Sequence, residues 1–275
     1  MIHSIQTYIQ PMRARMARLR SEPGLRRLLR AVGFAGAGLI LSAAALGGVA
    51  QPVALSFVLS CGGIPGILAA AGGMAGSYLF WGQAAGLQAA WLAAGLAMGL
   101  IPKKLWAGGR TLPSLLAGVI VAALGLFFQA KLGDTTPVPL HLLRILMAIF
   151  STWVFQGVQQ QDPRCQYLSR GLWVLALAQI APTSWLGAGY IAAGFLTVTG
   201  SFATAVLGGA VLDIVGITPI PMAAVTTLAY GLTLLPKQRK PLVGLWPGIA
   251  CGLVMALWKR FDLLPMPELV IGGLL

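Results

Sequence analysis

Apolar runs alternate with short polar or glycine- and proline-containing breaks over most of this chain. Between Leu186 and Pro236 the only charged side chain is Asp213, and Gly, Ala, Ser and Thr recur every three or four positions. Small residues at this spacing let helices approach closely in lipid, and hydroxyls can bond across the contact. The pattern therefore predicts packed membrane helices rather than a catalytic centre.

The breaks divide the chain into predicted spans, the first of them over 31–50. Pro52, Gly62, Gly63 and Gly82 divide the uncharged stretch 51–101 into three short segments. At ~20 residues a span there is room for about ten spans, several of them short or broken by Gly and Pro. Further segments are predicted over 112–130, 142–158, 172–181, 187–202, 203–217, 220–235 and 242–258. The apolar run 268–275 is too short to span, so we expect the sequence to stop in or just before a last helix.

Composition supports an all-α, polytopic helical membrane protein. Mean hydropathy is +0.83 and only 9% of residues are charged, against roughly a quarter in a soluble domain. A soluble protein this poor in charge could not cover its surface. We expect a basic cytosolic segment over 1–30, a multi-span domain over 31–275, and residence in the cytoplasmic membrane.

The net charge of +13 follows the predicted topology. Basic residues concentrate on the cytoplasmic side of membrane proteins and attract anionic lipid head groups. We therefore expect a cytosolic N-terminus and inner loops near 102–110, 159–170 and 237–240, whereas the loop 131–141, which carries Asp134, faces outward. No nucleic-acid-reading motif accompanies the arginines, so we expect no nucleic-acid partner. The membrane-surface basic residues are Arg13, Arg15, Arg18, Arg20, Arg26, Arg27, Arg30, Lys103, Lys104, Lys237, Arg239 and Lys240.

Asp213 is the candidate intramembrane polar site, because an ionisable group inside a span usually has a function. It could bind a cation or a proton, or it could lie near the outer interface within reach of water. His141 and Arg144, at the mouth of a span, are interpreted as a positively charged helix end. The isolated glutamines could line a substrate path or bond helix to helix; they are Gln83, Gln88, Gln129 and Gln156.

Catalysis by this chain is not expected. Its six carboxylates are dispersed, its two histidines lie far apart, and no nucleophile elbow, P-loop or HExxH motif occurs. Cys61, Cys165 and Cys251 show no pairing or metal-ligand spacing, so neither a disulfide framework nor a metal site is supported. We expect no cofactor and no catalytic residue.

The order of segments resembles the N-terminal multi-span region of the stage II sporulation protein E family of endospore-forming Firmicutes. The similarity covers nearly all of the chain and rests on segment order. It begins with the basic lead and a short span opening at Pro52-Val-Ala-Leu-Ser-Phe57, followed by Pro102-Lys103-Lys104 and Leu143-Arg-Ile-Leu-Met-Ala-Ile-Phe150. It continues through the Gly/Ala/Thr-rich 194–217, the basic loop Lys237-Gln-Arg-Lys240 and 244–257.

The resemblance implies about ten spans that anchor a regulatory segment and a metal-dependent, 2C-type serine/threonine phosphatase at the division septum. That family associates with the cell-division ring and activates a forespore sigma factor by dephosphorylating an anti-anti-sigma factor. This chain contains no phosphatase domain. It would be the anchor and localisation module, and no catalytic residue carries over.

A small-solute transporter, for example the substrate-binding subunit of an uptake system, is the alternative function. Hydrophobic segments broken by Gly and Pro are also how transporters build binding sites near the midplane, and Asp213 would then be central. A scaffold that self-associates through small-residue faces overlaps with the anchor interpretation.

Overall fold

The computed structural model describes residues 23–99, 109–180 and 201–215, together with residues 223, 224, 226, 227 and 230. These residues form α-helices and one small hairpin, so the predicted all-α class is confirmed for them. The elements are α1 Pro23–Leu41, β1 Ala45–Leu46, β2 Val49–Ala50, α2 Val53–Cys61, α3 Gly63–Trp81, α4 Ala85–Gly99, α5 Thr111–Leu132, α6 Val138–Gln159, α7 Pro163–Leu177 and α8 Phe202–Val215.

Three of these helices, α3, α5 and α6, are long and apolar enough to cross a membrane. A helix of 22 residues, such as α5 or α6, is about 33 Å long, close to the ~30 Å hydrocarbon core of a bilayer. The outer surface of α5 is apolar, since Leu115, Val119 and Leu126 are each more than half exposed. Membrane character is therefore supported by length, composition and surface.

Helices α1 and α3 run parallel and touch backbone to backbone. A Cβ atom added at Gly38 would overlap the Ala69 carbonyl, and one added at Gly72 would overlap the Ala35 carbonyl. At the end of the pair, the Trp81 indole N–H donates to the Ser42 carbonyl at 2.9 Å. Only glycine permits this approach, so the small-residue spacing in the sequence is used here for direct helix contact.

Helix α2 has nine residues and connects the parallel helices α1 and α3, so that the chain runs back between them. All but two of its residues are buried. It is apolar around its whole circumference, as a helix at the centre of a bundle must be. Hydroxyls bond it to α6: Ser56 Oγ donates to the Ala148 carbonyl at 3.2 Å, and Ser151 Oγ donates to Ser56 Oγ at 2.7 Å. The short segment opening at Pro52 is thus the core of the described fold.

Three predicted boundaries are wrong. The first helix is not 31–50, because α1 already begins at Pro23 and ends at Leu41. Residues 45–50 instead form an antiparallel hairpin whose turn glycines, Gly47 and Gly48, both have positive φ, as a type I′ turn requires. The inner loop does not extend to Arg170, since the Asp162 side chain caps α7 and helix begins at Pro163. That helix ends at Leu177, so the predicted segment 172–181 is also displaced.

The other described segments agree with the prediction. Stretch 51–101 contains the three expected pieces, broken at Gly62 and Gly82, and the segments 112–130 and 142–158 lie within α5 and α6. Segment 203–217 corresponds to α8. The predicted segments 187–202, 220–235 and 242–258, and the run 268–275, lie wholly or mostly outside the described residues.

Candidate functional site

The loop between α5 and α6 fixes a carboxylate at one end of the helices. Helix α5 ends at Leu132, and the next residue, Gly133, adopts the left-handed conformation and caps it. Asp134 Oδ1 then accepts hydrogen bonds from the Thr136 backbone N–H at 3.0 Å and the Thr136 hydroxyl at 2.6 Å. Gln129 Nε2 donates to the Thr136 carbonyl at 3.2 Å. The loop therefore holds Asp134 in one orientation.

Arg144 joins this loop to two other elements. Its guanidinium donates to Asp134 Oδ2 at 3.3 Å and to the Ala50 carbonyl of the hairpin at 3.3 Å. The guanidinium carbon lies 5.6 Å from the centre of the Trp91 ring on α4, within cation–π range. Arg144 is only 6% exposed. The loop, the hairpin and α4 thus converge on one buried cation.

These elements line an open cavity of about 550 Å³, a volume within the range usual for small-molecule sites. Its polar wall consists of Gln88, Asp134, Thr136 and Arg144, and its apolar wall includes rings of two tryptophans and a phenylalanine. The aromatic side chains are Trp81, Trp91 and Phe128. The cavity lies at the end of the bundle where α1, α3 and α5 finish. The exposed arginines at the start of α1 lie at the other end.

Several polar atoms buried in and around this cavity have no hydrogen-bond partner in the described part of the chain. Gln88 Nε2 donates to the Ser42 carbonyl at 3.3 Å, but Gln88 Oε1 is unpaired, as is the indole N–H of Trp91. Gln88 is 4% exposed and Trp91 1%. A buried polar atom without a partner costs about 1–3 kcal/mol. Neither atom has accessible surface, so neither faces the open space of the cavity.

His141 and Arg144, interpreted from sequence as a positively charged helix end, lie near the start of α6 and are buried. Both are 6% exposed. The imidazole fills the space above Gly125 of α5, where an added Cβ would overlap the ring, and both of its nitrogens lack a partner among the described residues. The structure adds that both side chains are removed from solvent and that the charge of Arg144 is paired with Asp134.

Titration of Asp134 gives a pH-dependent contribution to stability. Burial alone would raise the pKa of this carboxyl, but the Thr136 hydrogen bonds and the Arg144 charge outweigh it and lower the pKa below its ordinary value. The stabilisation is therefore present above the unfolded-state pKa of about 3.9 and is lost as pH falls through the lower folded-state pKa. We expect the wild type to lose more thermal stability than Asp134→Asn between pH 6 and pH 3, measured by tryptophan fluorescence. Equal losses in the two proteins would contradict this.

A second ionic cluster lies at the opposite end of α5 and α6. Arg110 donates to Asp162 Oδ2 at 2.8 Å and to Gln160 Oε1 at 2.6 Å, and its guanidinium lies over the Trp153 ring. The Arg110 hydrogen bond is the main cause that lowers the pKa of Asp162. Asp162 Oδ1 also caps α7 through the Arg164 backbone N–H. This cluster fixes the α6–α7 turn and encloses no cavity of its own among those we describe.

Asp213 does not line the cavity. It lies in α8, half-buried, and its Oδ2 accepts a hydrogen bond from the backbone N–H of Ala223 at 3.0 Å. This contact connects α8 to the next helical residues. The candidate singled out from sequence therefore has a structural contact of its own, separate from the cavity.

The remaining predicted residues fall into two groups. Arg26, Arg27 and Arg30 are exposed on the first turns of α1, and Gln156 is half-buried in α6. The side chain of Gln83 and all of the other predicted surface residues lie outside the part described; these residues are Arg13, Arg15, Arg18, Arg20, Lys103, Lys104, Lys237, Arg239 and Lys240.

Sequence reasoning did not assign Asp134, Thr136 or Trp91 to any site. In the sequence, Asp134 is one acidic residue in a predicted outer loop, and Trp91 is one aromatic residue in an uncharged segment. The available signal was Gln88, which is three residues before Trp91 and therefore on the same face of a helix. Nothing in the spacing indicates that Arg144 closes the same cavity.

In the described ranges, no three His, Cys, Asp or Glu side chains come together as a metal site would require. Cys61 and Cys165 form no disulfide within those ranges, and Cys251 lies outside them. No protein-family model, curated protein or solved structure matches this chain.

Proposed function

We propose that this chain is a multi-pass domain of the cytoplasmic membrane with a cytosolic N-terminus. Its role is to anchor and position a cytosolic catalytic domain. The observation that carries this proposal is the backbone contact of α1 with α3 at Gly38 and Gly72. It joins the basic segment of α1 to the buried bundle. Exposed Arg26, Arg27 and Arg30 can then meet anionic head groups on the inner face.

In its specific form, the proposal is that the anchored domain is a 2C-type serine/threonine phosphatase of sporulation, held at the division septum. The order of segments supports this form. The division-ring protein and further copies of the chain are the proposed partners. Reading the gene beyond the codon for Leu275 is the direct test. A frame that continues into an aspartate-rich soluble domain supports the phosphatase, and an immediate stop codon overturns it.

Replacement of Asp213 separates this role from ion-coupled transport. We expect Asp213→Asn to insert and localise as the wild type does, because the amide oxygen can still accept from the Ala223 N–H. Asp213→Leu, which has no acceptor, should reduce the amount of folded protein. A fluorescent fusion imaged in sporulating cells measures both. Loss of septal localisation in a normally inserted Asp213→Asn protein would contradict the anchor proposal.

A second candidate function, uptake of a small solute, is favoured by one observation. The cavity combines a polar wall of Gln88, Asp134, Thr136 and Arg144 with neighbouring aromatic side chains, which an anchor does not need. With the N-terminus inside, the cavity lies toward the outer face, where a substrate would arrive. Solute accumulation in proteoliposomes tests this role, and an ATPase subunit encoded next to the gene would support it.

A further inference from the structure

We propose that His141 is a proton-operated lock on the end of the α5–α6 pair that borders the cavity. Its neutral imidazole keeps the two helices in contact. Its protonation in mildly acidic medium releases them at this end, while the rest of the bundle stays folded. This inference goes beyond both proposed functions and depends on neither.

The imidazole fills a position that close packing would otherwise give to an apolar side chain. Helices α5 and α6 meet over two glycines of α5. A Cβ atom added at Gly118 would crowd the Ile149 side chain, and one added at Gly125 would overlap the His141 ring. Isoleucine therefore fills the first contact and histidine the second. The second contact carries a group that can gain a charge, which packing alone does not require.

Nothing in this contact can accept the hydrogen bonds of a protonated ring. The imidazolium has two N–H donors, but neither ring nitrogen of His141 has a partner or appreciable accessible surface in the described part of the chain. A buried cation without acceptor or water is far more costly than the neutral ring. His141 also lies at the end of the first turn of α6, where the helix dipole disfavours a positive charge. The neighbouring side chains within one helical turn belong to an apolar cluster; they are Val121, Leu124, Phe128 and Ile145.

The charged groups near His141 do not compensate a positive charge on the ring. Arg144, one turn later in α6, is itself a buried cation. Asp134 is the carboxylate of the loop, and it already accepts from Arg144 and Thr136. Lys131, in the last turn of α5, is exposed and also positive. A protonated His141 would therefore add an uncompensated charge beside one ion pair.

The other elements packed around the start of α6 add no counter-charge there. Helix α4 and the hairpin contain no titratable side chain. Those of α2 and α7 lie toward the opposite end of α6, where Gln159 donates to the Ser60 carbonyl and Cys165 packs against Gly157. They are Cys61, Arg164, Cys165, Tyr167 and Arg170.

The direction of the response follows from which form binds the proton. In an open form the imidazole reaches water and takes up a proton with the ordinary histidine pKa of about 6.5, whereas the closed form has no place for the charge. Acidification favours the form that binds more protons, so the open form gains as pH falls. If the closed form takes up none, the ratio of open to closed protein rises about tenfold from pH 7.5 to pH 5.5. Asp134 stays ionised over this range, since the pKa of its carboxyl lies below its ordinary value.

The opening is local because the other contacts of the bundle do not involve His141. Ser56 and Ser151 bond α2 to the middle of α6, and Gly38 and Gly72 join α1 to α3. Only the end where the 133–137 loop joins α5 to α6 is released. The same loop and helix supply Asp134, Thr136 and Arg144 to the cavity wall, so the release widens the cavity.

Hydrogen exchange of the purified full chain in nanodiscs, followed by mass spectrometry at pH 7.5 and pH 5.5, tests the lock. Rates are divided by those of an unstructured peptide at the same pH, which removes the pH dependence of the chemistry. We expect corrected exchange over 126–145 to rise about tenfold at pH 5.5 and exchange over 68–76 in α3 to rise less than about twofold. An unchanged rate over 126–145 overturns the inference. An equal rise in α3 also does, because the whole bundle would then be loosening.

The two histidines of the chain, His3 and His141, provide matched variants. His141→Phe keeps a flat ring that cannot take up a proton, so corrected exchange over 126–145 should differ less than about twofold between the two pH values. His3→Phe makes the same replacement and should keep the tenfold rise of the wild type. His141→Gln, which also does not titrate, gives the same test if phenylalanine prevents folding. A full rise without His141, or its loss in His3→Phe, contradicts the assignment.

Discussion

Replacing Gly38 with alanine should destabilise the protein by about 3 kcal/mol, at the upper end of the usual effect of overpacking. The added Cβ would overlap the backbone carbonyl of Ala69 in α3. A backbone atom cannot rotate away as a side chain can, so α1 and α3 would have to separate. Thermal unfolding of the purified protein in detergent, followed by tryptophan fluorescence, measures the change.

Gly36→Ala is the matched control, because it makes the same change in the same helix two residues earlier. Nothing lies within 4 Å of a Cβ added at Gly36. Alanine is favoured over glycine inside helices by about 0.5–1 kcal/mol, so this variant should be as stable as the wild type or slightly more so. If the two variants lose the same stability, helix contact at Gly38 is not the cause and the parallel α1–α3 pair is wrong.

Replacing Arg144 with glutamine should cost about 3 kcal/mol, as expected when one partner of a buried ion pair is removed. The change leaves Asp134 without its cation and the Ala50 carbonyl without its donor. It also removes the guanidinium from the Trp91 ring. Thermal unfolding measures the loss, and the change in tryptophan emission reports the altered surroundings of Trp91.

Two further variants show whether the loss arises from the ion pair. Arg164→Gln removes an exposed arginine at the start of α7 and should change stability by no more than ~0.5 kcal/mol. In the double variant Asp134→Leu/Arg144→Met, no uncompensated charge remains. It should therefore be more stable than Arg144→Gln alone. If the double variant is less stable than the sum of the effects of Asp134→Leu and Arg144→Met measured singly, the two side chains do not act as a pair.

The proposed anchor role and the proposed uptake role require different properties of the same helices. An anchor requires only that the bundle is rigid and that its surface suits lipid, and Gly38, Gly72 and α2 meet the first requirement. A binding site requires a cavity with polar groups on its wall, and Gln88, Asp134 and Arg144 line such a cavity. A membrane domain that positions a soluble partner and also responds to a solute would use both.

The amino-acid sequence by itself determined the class of this protein and much of its segmentation. The scarcity of charge and the apolar runs predicted a helical membrane fold, and the described residues are mostly helical with three helices long and apolar enough to cross a membrane. Pro52, Gly62 and Gly82 end or begin helices because their backbone preferences act locally. The apolar runs 112–130 and 142–158 lie within α5 and α6. The boundaries of α1 and α7 were missed because a hairpin turn and a helix cap depend on a few residues that hydropathy does not weigh.

Only the tertiary structure decided which polar residues come together. Asp134 lies on a loop, Arg144 on α6, and Gln88 and Trp91 on α4, and no local pattern connects these three segments. Their meeting depends on how α4, α5, α6 and the hairpin pack, which is a property of long-range contacts between side chains. The sequence singled out Asp213 because an isolated charge in an apolar run is a local feature. The residues that line the cavity could not be singled out in this way, because each of them matters only through its contacts with the others.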